Sequence, residues 1–138
     1  PISKFTYSLV AANLEAYQNR VLVQKKYNEF LEAIPSKLII NLPDLLGHPM
    51  QSPLLRYPIL IKDMTIRNKV YDKLKNVGAS LMYQRPLHKI DQVGALIKNP
   101  GCEYPNASRL SEHLLTLPTH ECVTSKNILT SKKTLQTL

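Results

Sequence analysis

At 138 residues the chain is long enough for one domain with a substantial core. Its 43% hydrophobic and 20% charged residues mark a globular chain, not a disordered one. The net charge of +8 would suit a polyanionic partner, but the basic residues are scattered and no nucleic-acid motif accompanies them.

No apolar run approaches the roughly 18 residues that span a membrane, and the Pro-Ile-Ser-Lys start shows no export signal. The opening on Pro1, at the approach to a helix, reads as a chain cut from something longer. Lys25, Lys26, Arg67, Lys69, Lys73, Lys75, Lys132 and Lys133 mostly fall where a helix would face water, a basic solvated surface. Cys102 and Cys122 are isolated, and with His113 and His120 they complete no zinc pattern. Two free thiols of a cytosolic protein are expected, with a disulfide as the alternative.

Residues 3–34 read as one long helix, with Val10, Leu14, Tyr17, Val21, Tyr27, Leu31 and Ile34 spaced three or four apart. Pro35 stops it. So long a helix in a small domain suggests a spine packing on something outside the chain, with Tyr7, Tyr17 and Tyr27 in a core or interface. A short strand is predicted over 37–42 and a loop over 43–53, broken by three prolines and Gly47. A stronger strand spans 54–62, with Leu55, Tyr57, Ile59 and Ile61 on one face, and an edge or bulge at Pro58, which cannot donate to a ladder. Arg56 alternates with the inward residues and reads as half of an ion pair.

Asp63 or Thr65 can cap a helix carrying Ile66, Val70, Leu74 and Val77, with Gly78 as its left-handed terminator. A strand over 79–83 follows, then a long irregular stretch over 84–104 containing Pro86, Gly94, Pro100 and Gly101. Pro105 suits the start of a helix with Ala107, Leu110 and Leu114 inward, ended by Pro118. Thr124 caps a last helix carrying Ile128, Leu129 and Leu135. The expectation is an α+β fold: a long N-terminal helix and a small, mostly antiparallel sheet with helices on one face.

Three stretches, taken together, resemble a known family. They are Arg56-Tyr57-Pro58-Ile59-Leu60-Ile61 with the helix ending at Gly78; Tyr83-Gln84-Arg85-Pro86-Leu87-His88; and Tyr104-Pro105-Asn106-Ala107 with Leu115-Thr116-Leu117-Pro118-Thr119-His120 and Val123-Thr124. In order and spacing they are similar to the C-terminal small domain of the DegT/DnrJ/StrS family of pyridoxal-phosphate-dependent sugar aminotransferases. The resemblance implies residues 1–34 as an interdomain helix and 35–138 as the small domain. It implies a cytoplasmic homodimer acting in surface-carbohydrate or antibiotic-sugar biosynthesis, moving an amino group from glutamate to a keto sugar on a nucleotide diphosphate. The cofactor, its Schiff-base lysine and the aspartate facing its ring would lie in a large domain absent here. This chain then carries no catalytic, cofactor or metal residues and is inactive alone.

Tyr83, Arg85 and His88 stand at a strand end and loop start, where scaffolds present ligand groups, and are the expected substrate contacts. The alternative is a His88 that only caps the loop and a solvated Arg85. His120 reads as ordering the turn into the last helix. After His88 the family commonly continues Gln-Pro-aromatic, whereas Lys89-Ile90-Asp91-Gln92-Val93 stands here, a departure in the sugar-contacting loop. Two other readings stay open: a non-catalytic remnant or dimerisation domain of the same fold, and a sugar dehydratase of the same family.

Overall fold

The computed structural model describes residues 4–34, 37–49, 51–83, 85–94, 96 and 102–138. The expectations at Ser3, Pro35, Gln84, Pro100, Gly101 and the Tyr7 side chain lie outside the described residues. The fold is α+β. The first helix, α1 (Lys4–Glu32), is followed by β1 (Ile39–Asn41), α2 (Leu42–Leu45), β2 (Arg56–Ile61) and α3 (Met64–Leu74). The short α4 (Asp91–Gly94) comes next, then α5 (Pro105–His113), β3 (Leu114–Pro118) and α6 (Ser125–Gln136). No helix among the described residues is long and apolar enough to cross a membrane.

The strands form one antiparallel sheet in the order β1-β2-β3. Ile39 pairs with Ile61 on one side, and Tyr57 with Leu117 and Ile59 with Leu115 on the other. Tyr57, Ile59 and Ile61 are fully buried and alternate with half-buried Arg56, Pro58 and Leu60, the period-two pattern of a strand packed on one face. Leu55 breaks the expected alternation: it precedes the strand and is 80% exposed. Pro58 lies mid-strand between two neighbours yet costs no ladder bond. The Lys62 N–H donates to the Leu38 carbonyl at 2.9 Å, so the even-numbered nitrogens face β1, and β1 has already ended at the Asn41–Ile59 pair.

Two expected elements are redrawn. The strand over 79–83 shrinks to a single bridge between Ser80 and Thr116. The single helix from Pro105 to Pro118 is instead a helix that stops at His113 and a strand, β3, buried at all five positions. Leu114 therefore serves a strand, and Ala107 and Leu110 of α5 are exposed, while Ser111 is the buried residue of that helix. Leu-Leu-Thr-Leu offers no helical period; a short continuous apolar run fits a buried strand equally well, and pairing with β2 decides. The 43–53 loop also contains most of α2.

The caps follow the sequence closely. Asp63 accepts the Ile66 N–H at 2.8 Å, and Thr124 forms a reciprocal capping box with Asn127. Gly78 ends the α3 segment at φ 93°, and a Cβ there would stand 3.1 Å from the Pro118 ring. In α6, Leu135 is buried but Leu129 is exposed.

The core lies where α1, α3 and α6 cover one face of the sheet: Val23, Tyr27, Phe30 and Leu31 meet Tyr57, Ile59, Ile61, Leu115 and Leu117, with Val70, Leu74 and Leu135 closing it. Only the C-terminal part of α1 joins. Val10 and Leu14 are each 58% exposed and Tyr17 is exposed as well, so the stripe continues past the core onto open surface. Buried Gln24 marks the transition: its amide donates to the Ser52 carbonyl and accepts the Leu54 N–H at 3.1 Å, fixing the approach to β2. Arg67, expected in water, is buried, with Glu112 as its electrostatic neighbour. Cys102 and Cys122 are unpaired and exposed.

Two buried tyrosines in ring contact at 5.5 Å have opposite polar surroundings. The Tyr57 hydroxyl donates to Asn41 Oδ1 at 2.9 Å, with Asn28 Oδ1 a second acceptor at 3.1 Å, and the Asn41 amide ties the two asparagines together at 2.7 Å. The Tyr27 hydroxyl is buried with no hydrogen-bond partner among the described residues. Ser131 is close enough to lower its pKa, but it is outside hydrogen-bonding geometry and donates its own proton to the Asn127 carbonyl at 3.0 Å. Burial raises both phenols, Tyr57 from 10.0 to about 12 and Tyr27 further, against partial opposition from Asn41 and from Arg56 and Ser131 respectively. Tyr57→Phe is expected to lose about 1–2 kcal/mol of stability in urea unfolding, because it removes the donor to the half-buried Asn41 Oδ1. Tyr27→Phe is expected to be neutral or stabilising. Above pH 10 the unfolded chain releases phenol protons that the folded chain keeps, so stability falls as pH rises toward 12. Tyr57→Phe should flatten that fall.

Candidate functional site

The segment that carries Tyr83, Arg85 and His88 leaves the sheet at the Ser80 bridge. The Ser80 N–H donates to the Thr116 carbonyl and the Thr116 N–H to the Ser80 carbonyl, each at 2.9 Å. Pro86, extended at φ −67°, ψ 151°, starts a single 3-10 turn over Leu87–Lys89, closed by Lys89 N–H to the Pro86 carbonyl at 2.9 Å. α4 then folds back onto this turn. A Cβ at Gly94 would stand 2.7 Å from the His88 carbonyl oxygen, so this approach needs glycine. The stretch expected to be irregular is therefore partly organised, by two short helical turns.

Tyr83 and Arg85 both line an open cleft of about 600 Å3, together with Met82, Pro86, Leu87 and Ile90 from the same segment and Ala107, Leu110 and Ser111 from α5. Tyr83 is 57% exposed and Arg85 is exposed, so both polar groups can meet a ligand without being unburied first. The walls are otherwise apolar, the usual composition of a small-molecule site with a few polar groups to orient the guest.

His88 does not line this cleft. Its half-buried ring lies against Tyr104, centroids 5.0 Å apart and planes tilted by 43°. Tyr104 immediately precedes α5, so this contact joins the 3-10 turn to the helix that forms the opposite wall. Three residues within six positions thus divide between two places: two in the cleft and one against Tyr104.

The α5 wall of Ala107, Leu110 and Ser111 was not foreseen, because Ala107 and Leu110 had been assigned to the core. The signal was available in Pro-Asn-Ala-Ser-Arg-Leu-Ser-Glu-His, where leucine occurs once and serine or alanine occupies the positions that would pack inward. Arg56 belongs to the scaffold, but without the expected ion pair. Its Nε donates to Thr116 Oγ1 at 2.7 Å and its Nη2 to the Gly78 carbonyl, all neutral acceptors. Burial lowers its pKa, opposed by the field of Tyr27. The His120 carbonyl accepts the Val123 N–H at 3.1 Å, consistent with a turn before α6, and its ring is exposed. Among the described residues no group of three His, Cys, Asp or Glu side chains is placed to hold a metal ion.

Comparison with known proteins yields no match to a curated protein. Among solved structures the chain is similar to Helicobacter pylori PseC, an aminotransferase involved in the biosynthesis of pseudoaminic acid, with a TM-score of 0.70 at 17% identity. That similarity concerns the fold; it takes in 96% of this chain but 36% of the PseC chain. The family model for DegT/DnrJ/EryC1/StrS aminotransferases matches residues 10–132, nearly the whole sequence, with β2, the Tyr83 segment, α5 and β3 inside the match. The chain belongs to the DegT/DnrJ/EryC1/StrS aminotransferase family.

Proposed function

We propose that this chain is the small domain of a pyridoxal-phosphate-dependent aminotransferase that moves an amino group from glutamate to a keto sugar carried on a nucleotide diphosphate. The observation that carries the substrate side is the shared cleft of Tyr83 and Arg85 beside α5. A guanidinium pairs with phosphate or carboxylate oxygens through a planar fork, and a phenol can donate to a sugar hydroxyl or stack on a ring. The apolar walls offer surface that a bound ring would cover. His88, which does not line the cleft, is included on the resemblance of the Tyr-Gln-Arg-Pro-Leu-His run alone.

Pyridoxal phosphate, when bound, supplies the electron sink for amino transfer. The residues that line the Tyr83 cleft include no lysine and no carboxylate. They offer neither an amine for a Schiff base nor an anion to face a pyridinium nitrogen, so the cofactor does not fit this cleft. In this reading it belongs to a large domain, which also covers Val10, Leu14 and Tyr17 on α1, in a dimeric cytoplasmic enzyme.

Mixed with pyridoxal phosphate, the 138-residue chain is expected to show no internal-aldimine absorption that survives dialysis. A stoichiometric band abolished by replacing one lysine would overturn that assignment. In the full-length enzyme, Arg85→Gln and His88→Ala are each expected to raise KM for the sugar nucleotide with kcat nearly unchanged, by the roughly 1.5–3 kcal/mol of a charge-assisted hydrogen bond. If His88→Ala instead lowers Tm at constant KM, the role of His88 is its contact with Tyr104.

A further inference from the structure

A second cleft lies on the other side of α5. Asn106, Arg109, Leu110 and His113, spaced 3, 1 and 3 residues apart, form one face of that helix and meet Ile40, Leu60 and Lys62 around a volume of about 280 Å3. Leu110 is common to both clefts, so they adjoin across a single side chain. Neither the expected substrate contacts nor the cofactor argument uses any of the polar groups here.

We propose that this second cleft is a phosphate-binding subsite for a phosphorylated small molecule, separate from the Tyr83 cleft. Its polar lining is a lysine, an arginine, an imidazole and a carboxamide, with no acidic residue. Among the described residues the one ion pair is Lys75–Asp72 on α3, so neither Lys62 nor Arg109 has a carboxylate within 4 Å. Glu32 and Asp44 line a neighbouring depression that shares Lys62 and Ile40, and Glu112 lies on α5 without lining the cleft.

The imidazole is held in place. His113 Nδ1 lies 2.8 Å from the Ile61 carbonyl oxygen, which can only accept, so Nδ1 carries a proton and Nε2 is the ring atom left for a ligand. Lys62, Arg109 and the Asn106 amide supply three donors, and His113 Nε2 becomes a fourth only when the ring is doubly protonated; donors from the end of β2 and from α5 suit the several oxygens of a phosphoryl group better than the two of a carboxylate. The floor of Ile40, Leu60 and Leu110 leaves apolar surface for a ring attached to the phosphate. The net charge of +8 adds a favourable field for any anion. The proposal does not depend on the aminotransferase reading, which places the substrate's partners on the opposite side of Leu110.

The test is an NMR titration of the 138-residue chain with inorganic pyrophosphate at low ionic strength, with uridine diphosphate as a parallel arm. Expected is a saturable shift of the His113 ring signals, with the affinity read from those signals falling about tenfold in Lys62→Gln and in Arg109→Gln and unchanged in Lys133→Gln on α6. Lys62 and Arg109 are exposed, so the variants should keep the wild-type Tm. Tighter binding of uridine diphosphate places a nucleoside on the apolar floor, and equal binding means that the phosphates alone are held. Non-saturable shifts spread over Lys25, Lys26, Lys132 and Lys133, full affinity in both cleft variants, or an equal loss of affinity in Lys133→Gln would each overturn the proposal.

Discussion

Two reciprocal backbone hydrogen bonds between Ser80 and Thr116 hold the candidate site against the sheet, and Arg56 holds those bonds in place. Thr116 Oγ1 accepts from Arg56 and donates to the Ser80 carbonyl at 3.1 Å, while the same guanidinium reaches the Gly78 carbonyl. One cation thus ties together the central strand, the last strand, the end of the α3 segment and the residue from which the Tyr83 segment departs. All its acceptors are neutral, so the arrangement avoids placing a second half-buried charge beside the first. The direction in which Tyr83 and Arg85 leave the sheet is set three residues upstream by this cluster.

The same economy governs α5. It is a wall between two clefts, not a core helix: its one buried residue is Ser111, whose hydroxyl turns back to the Ser108 carbonyl at 2.8 Å. Its other faces are then free to carry Ala107 and Leu110 toward one side and Asn106, Arg109 and His113 toward the other. A helix with little apolar content of its own is held by its ends, through Tyr104 against His88 and through His113 on the Ile61 carbonyl.

Local chemistry was the legible part of the sequence. The Asp63 and Thr124 caps, the Gly78 terminator and the alternation of Tyr57, Ile59 and Ile61 each depend on residues within one turn or strand, and each is found in the structure. What sequence reading missed was decided by distant partners. Leu114–Pro118 becomes a strand because β2 has an open edge to pair, and α1 buries Val23, Gln24, Tyr27, Phe30 and Leu31 but not Val10 or Leu14 because the sheet ends where it does. At the candidate site, the Tyr-Gln-Arg-Pro-Leu-His run names three residues, of which Tyr83 and Arg85 line one cleft. A 3-10 turn after Pro86 then separated His88 from Tyr83 and Arg85, and linear spacing does not reveal such a rotation.

The way α1 is anchored makes it a lever. Among the described side chains its buried residues begin at Val23, so the part from Lys4 to Leu22 runs roughly 28 Å beyond the core, tied to the loop before β2 where the Tyr17 hydroxyl donates to the Gln51 carbonyl at 3.0 Å. A tilt of about 5° at the Tyr27–Tyr57 contact, roughly 35 Å along the helix from Lys4, would carry the far end through about 3 Å. Small volume changes among Tyr27, Phe30 and Leu31 are therefore magnified into displacement at Val10 and Leu14, while the Tyr83 cleft, fixed to the other side of the sheet, stays where it is. The geometry of this chain is stiff within its core and sensitive in aim, and the aim is set by the shapes of three side chains.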